Sequence, residues 1–220
     1  MKTIIFDLDG TLADTSGDLI AATNACFHDL GHGDMLDPAR DQAVAVTGMR
    51  AMLRLGFERL GRDGTAEIEA EIPKFLGHYR GSIAKHSYLY PGAVAALERL
   101  AAAGFALGIC TNKPVDLAEV LVEKLGIRGH FGSLIGADSL PVRKPDAAPL
   151  IAAIEGAGGS RAQALLVGDT DTDRETARAA GVPSLLVTFG PDGHAVTRHA
   201  PEGLLHHFDD IEVEIAALIG

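Results

Sequence analysis

Five short apolar runs, Thr3–Phe6, Phe105–Cys110, Ser133–Ile135, Ala164–Val167 and Ser184–Val187, constrain the fold of this chain more than any other feature. Each has the length of a buried strand, and Gly, Pro or Asp punctuates its ends. Between them lie amphipathic stretches. Pro91–Ala102 places Val94, Leu97 and Ala101 on one face, Pro114–Leu125 does so with Leu117, Leu121 and Leu125, and Ala147–Ile154 carries Leu150, Ile151 and Ile154. Strand alternating with helix predicts an α/β fold with a parallel, doubly wound sheet.

The first strand fits this scheme, but the stretch after it reads as helix alone. Leu19, Cys26, Phe27 and Leu30 form one stripe, Met52, Leu55 and Leu60 a second, and Phe75, Leu76, Tyr79 and Ile83 a third. Pro73 inside a helix would break it, so the last of these helices is expected to start there. Residues 14–87 are therefore expected to form a helical insert, with residues 1–13 and 88–220 forming the core. No repeat or low-complexity tract is present.

A net charge of −11 argues against nucleic acid or anionic membrane as a partner, since both would be repelled. No stretch offers a membrane span or a signal-peptide core. The cysteines, Cys26 and Cys110, fall on a helical stripe and in a strand run. They read as buried thiols of a reduced, cytoplasmic protein. The nine histidines make no zinc pattern, His206-His207 reading as a surface pair, and Glu67, Glu69 and Glu71 read as a solvated helix face.

In open parallel sheets, ligands gather beyond the carboxyl ends of the strands. The first strand ends in Asp7-Leu8-Asp9-Gly10-Thr11 and the second in Thr111-Asn112-Lys113. Lys144-Pro145-Asp146 follows the third, and Gly168-Asp169-Thr170-Asp171-Thr172-Asp173 ends the fourth. One rim thus collects the parts of phosphoryl transfer. A carboxylate can attack phosphorus and hold the phosphoryl group. Asp7 and Asp169 offer the hard oxygen ligands that Mg²⁺ takes. A hydroxyl, an amide and an ammonium can bind phosphoryl oxygens. Asp9 can protonate the leaving alcohol and then activate water. Taken singly, each element has a plainer reading: Asp-x-Asp-Gly makes ordinary turns, Asn112 and Asp146 stand where helix caps would, and a lone lysine is ordinarily solvated. Asp169, Asp171 and Asp173 imitate the start of a calcium loop. Arg174 and Ala180 occupy the places where such a loop needs Gly and Glu.

The four segments, in this order, resemble the haloacid dehalogenase superfamily and, within it, the phosphoglycolate phosphatase family. The resemblance covers nearly the whole chain, including Tyr90-Pro91-Gly92, Thr111-Asn112-Lys113-Pro114 and the run from Gly168-Asp169-Thr170 to Ala179-Ala180-Gly181-Val182. It implies a Rossmann-like core, Asp7 as nucleophile and Asp9 as general acid/base. Asp7, the Asp9 main-chain carbonyl and Asp169 would hold Mg²⁺, with Asp173 and Thr11 supporting them from behind. Thr111, Asn112 and Lys144 would hold the phosphoryl group, and the insert would be a mobile cap. Dehalogenases and phosphonatases of the superfamily lack a carboxyl where this chain has Asp9, which fits an alkoxide leaving group.

The implied substrate is a small phosphorylated metabolite, 2-phosphoglycolate or a similar ester. Pyrophosphate, nucleotide or sugar-phosphate hydrolysis and phosphosugar mutation stay open, as does a phospho-accepting signalling module. The cap loop departs from the family's frequent Gly-x-Gly string, reading Thr47-Gly48-Met49-Arg50. On the family alignment of that loop, Arg50 is the candidate for gripping a substrate carboxylate, with N–H groups near Gly48 assisting.

Overall fold

Parallel pairing starts from Thr3–Phe6 (β1), whose four residues are all buried. The computed structural model of the protein describes residues 1–45 and 47–220. In it β1 lies between Ala106–Cys110 (β4) and Ala164–Gly168 (β6), with Thr3 level with Ala106 on one side and Ala164 on the other. Ser133–Ile135 (β5), Ser184–Val187 (β7) and Gly203–Leu205 (β8) complete a parallel sheet of order β5-β4-β1-β6-β7-β8. The chain builds outward from β1 through β4 to β5, then returns to the other side of β1 with β6. That reversal leaves a crevice between the carboxyl ends of β1 and β6, where doubly wound folds bind their ligands. β8 was not read from the sequence. Its three residues are too short to carry a period, and pairing with the edge of β7 makes them a strand.

The crossover helices are Ala93–Ala102 (α5), Val115–Lys124 (α6), Ala147–Gly156 (α7) and Asp171–Ala180 (α8), followed by Ile211–Ile219 (α9). One core cluster joins Ile5, Cys110 and Leu166 of the sheet to Leu150 and Ile154 of α7 and Ala177 of α8. The expected face of α5 is corrected: Ala93, Ala96, Leu97 and Leu100 are buried, whereas Val94 is exposed. Both sets have helical spacing, but only the observed one buries two leucines together.

The chain divides into two units, one of Met1–Asp14 with Leu89–Gly220 and the other of Thr15–Tyr88. Ala13–Asp14 (β2) and Tyr88–Leu89 (β3) form a separate ribbon where the chain passes between them. The second unit is helical: Ser16–Asp29 (α1), Gln42–Ala45 (α2), Met49–Arg59 (α3) and Thr65–Ser82 (α4). Its core holds Ile20, Cys26, Phe27, Met52, Leu53, Phe57, Phe75 and Tyr79, with the rings of Phe27 and Phe57 edge-to-face at 5.0 Å. A Cβ on Gly56 would lie 2.2 Å from Phe27, so a glycine is what lets that ring seat against α3.

Three expectations fail in this unit. Leu30 is exposed and Leu19, Leu55 and Leu60 are only half-buried, because the buried stripes run one residue over, through Ile20 and through Leu53, Gly56 and Phe57. Pro73 does not start a helix but lies inside α4. It sits on the exposed side, and its missing N–H is tolerated while Ile68, Phe75 and Tyr79 hold both halves of α4 in the core. Glu71 is not solvated: it is 3% exposed, and Lys74 bonds its Oε1 at 2.7 Å. Among the described residues no helix is long and apolar enough to cross a membrane.

Candidate active site

Asp7 is the first residue past β1, and its N–H donates to the Val167 carbonyl of β6 at 2.8 Å. Its carboxylate is buried, with Oδ1 3.0 Å from Lys144 Nζ. Lys144 is itself buried and also donates to Asp173 Oδ1 at 2.6 Å. The solvated alternative for this lysine is therefore excluded. Burial alone would pull the Lys144 ammonium down, but Asp173 and Asp7 outweigh it and hold the group well above its usual value.

Asp169 follows β6, and its Oδ1 accepts from Thr11 Oγ1 at 2.9 Å. Its other oxygen, Oδ2, is buried without a hydrogen-bond partner. A Cβ on Gly10 would stand 2.2 Å from that oxygen, and Gly10 has a φ of 83°, so close approach and backbone conformation both require glycine. Asp173 belongs to a capping box at the start of α8: Thr170 receives the Asp173 N–H, and Asp173 Oδ2 accepts from the Thr170 N–H and hydroxyl. The cap aims its second oxygen at Lys144.

Two carboxyls here are far from their ordinary values. Burial first, then the nearby Asp173 and Asp9 charges, lift Asp7 to about 6 despite Lys144. Burial, with the Asp173 and Asp7 charges, lifts Asp169 strongly as well. Ligand oxygens of Asp7, Asp169 and Asp173 all lie within 4.8 Å of one another. Three carboxylates gathered so closely, two of them (Asp7 and Asp169) with a buried oxygen that makes no hydrogen bond, fit a hard divalent cation.

Asp9 is half-buried and pairs with Lys113, Nζ to Oδ1 at 2.6 Å. Thr111 is buried past β4, its N–H on the Ile135 carbonyl at 2.9 Å. Asn112 donates to the Lys144 carbonyl at 3.1 Å and so ties two of the rim loops together. It caps no helix, since Pro114 holds that place before α6, whereas Asp146 does cap α7 by accepting from Ala148. Lys113 is the member of the site to which sequence reasoning gave no role. The only signal in the sequence was its place directly after Thr111-Asn112 at a strand end, on the rim where the other site residues gather.

Gly48 and Arg50 lie in the helical unit. Gly48 precedes α3 with a φ of 99°, and Arg50 makes a bidentate pair with Glu69 at 3.0 and 2.8 Å. Cys26 and Cys110 are buried free thiols, pushed up to about 12 chiefly by burial, and take no part in the site.

A doubly wound sheet carrying an acid–lysine cluster at its switch point defines a class of hydrolase, and the chain belongs to it: the family model for the haloacid dehalogenase-like hydrolases matches residues 4–187. More narrowly, the chain is 38% identical to a phosphoglycolate phosphatase of Mesorhizobium japonicum, over 97% of this chain and 94% of the relative. It is 39% identical to that of Rhodospirillum rubrum, over 95% and 87%. A crystal structure described as a predicted phosphoglycolate phosphatase of Haemophilus somnus superposes with a TM-score of 0.84 at 26% identity, covering 97% of each chain. Within the family the chain groups with the phosphoglycolate phosphatases, and it is an enzyme of the phosphatase class.

Proposed function

We propose that this phosphatase hydrolyses 2-phosphoglycolate, or a small ester close to it, through an aspartyl-phosphate on Asp7, in the cytoplasm and with Mg²⁺. The observation that carries the reading is the buried Asp7 carboxylate with a lysine 3.0 Å away at the switch point of the sheet. The substrate is supported by the names of the two relatives. Asp7 attacks phosphorus as the bond to the ester oxygen breaks, and Asp9 gives that oxygen a proton. Asp9 then takes a proton from water, which attacks the same phosphorus, releasing inorganic phosphate and restoring the Asp7 carboxylate. Lys144, Thr111 and Asn112 bind the phosphoryl oxygens through both steps.

Asp7, Asp169 and the Asp9 main-chain carbonyl would hold Mg²⁺, with Thr11 fixing Asp169 and Asp173 fixing Lys144. Mg²⁺ there supplies charge that lets an anionic nucleophile meet a phosphate dianion. The helical unit acts as the cap that discriminates between esters, Arg50 exchanging Glu69 for the glycolate carboxylate.

Phosphate release from 2-phosphoglycolate, pyrophosphate, nucleotides and sugar phosphates, run beside Asp7→Asn, tests the reading. The wild type should favour 2-phosphoglycolate and the variant should lose all but a trace of turnover, since an amide forms no acyl-phosphate. Substantial hydrolysis by Asp7→Asn would sink the mechanism. A different preferred ester would move the substrate and leave the mechanism standing.

A further inference from the structure

Lys113 is a buried cation that the chemistry above leaves unused. Its side chain is 5% exposed, while that of Asp9, 2.6 Å away, is 19% exposed. The lysine backbone is held on both sides: its N–H donates to Thr111 Oγ1 at 3.2 Å, and its carbonyl accepts from the Ala137 N–H at 2.9 Å. A held backbone and a buried side chain leave this ammonium little room to move, whereas the carboxyl it meets stands on a turn. Gly10, immediately after Asp9, has the positive φ that such a turn needs. An acid/base group must stand within hydrogen-bond reach of the ester oxygen, and a misplacement of about 1 Å costs roughly 100-fold in rate.

We propose that Lys113 is the positioning residue for Asp9. By holding Oδ1 it sets the plane of the carboxyl group, and so the direction in which Asp9 meets the ester oxygen and then the attacking water. The role rests on the phosphatase reading above. It differs from that of Lys144, whose ammonium faces Asp7 and Asp173.

A double-mutant cycle tests it, with kcat and KM measured on 2-phosphoglycolate and on p-nitrophenyl phosphate at saturating Mg²⁺. Lys113→Met should lower kcat on 2-phosphoglycolate by about 10- to 100-fold, with KM within about twofold. The loss should be smaller on the aryl ester, whose leaving group needs no proton. Lys113→Arg should recover most of it. In an Asp9→Asn background, Lys113→Met should change kcat on the aryl ester by less than about twofold, because the carboxyl it acts through is gone.

Equal fractional losses in both backgrounds would overturn the role. So would a raised KM for 2-phosphoglycolate with kcat intact, which would make Lys113 a ligand of the substrate carboxylate. Circular dichroism checks folding, and Lys113→Gln replaces the Met variant if that one unfolds. Wild-type turnover of the two esters reports separately on the phosphatase reading. A chain that hydrolyses both while the cycle comes out additive loses only the Lys113 assignment.

Discussion

Asp7 carries an unusual electrostatic load for a single carboxyl. Its folded value of about 6 lies above the ordinary 3.8, so between those limits the folded state binds a proton that the unfolded chain has released. Stability from this group is therefore present below pH 4 and is lost as pH rises through 6. Metal-free Asp7→Asn should accordingly melt higher than the metal-free wild type at pH 7.5, and the gap should close as pH falls from 6 towards 4. Thermal melts in chelator at a series of pH values check this, and a gap independent of pH would contradict it. Arg50 makes the second prediction at this scale. Arg50→Ala should raise KM for 2-phosphoglycolate about tenfold or more, the loss of a bidentate charged hydrogen bond, and leave a neutral alkyl phosphate little changed. Equal behaviour on the two esters would place the carboxylate site elsewhere.

The helices of the insert show how a glycine can be required by its partner or merely tolerated. Gly56 gives its space to Phe27, while Gly77 on α4 has nothing within 4 Å of where a Cβ would stand. Alanine improves helix propensity at either place by up to about 1 kcal/mol. At position 77 that gain should appear in full. At position 56 the clash with a buried ring should exceed it, for a net loss of about 1–2 kcal/mol. Urea midpoints of Gly56→Ala and Gly77→Ala should move in opposite directions, and a common direction would mean that Phe27 repacks freely. The same contact explains why the α3 stripe was misread. Gly56 contributes nothing to an apolar pattern, yet the helix face it lies on is the one that packs.

Across the whole molecule, several buried acids share one rim in a chain of net charge −11. A divalent cation bound there should relieve that repulsion and stabilise the folded state by mass action, by about 2.7 kcal/mol at a concentration 100 times its dissociation constant. Mg²⁺ should raise the melting temperature of the wild type and restore activity lost to chelator. Asp169→Ala should show little of either response. A wild type fully active in excess chelator would remove the metal from the reaction.

How much of this was legible beforehand differs by element. Apolar runs closed by Asp, Thr and Lys depend on residues adjacent in the chain, so the five strands and the residues at their ends could be read off directly. That the sheet is parallel follows from the same alternation, because parallel strands need crossovers, but the order β5-β4-β1-β6-β7-β8 is set by which strands pair in space. Other features depend on what lies opposite in space. β8 is a strand because β7 offers it an edge, and α4 runs through Pro73 because burial on both sides of it outweighs one missing hydrogen bond. Lys113 was visible as a residue, but its meeting with Asp9, 104 positions away, is made by two loops that only the parallel pairing of β1 with β4 brings together. Sequence by itself determined which chemical groups reach the rim, since strand ends are local facts. Tertiary structure alone decided which of those groups touch, because distance between loops is set by packing and not by position along the chain.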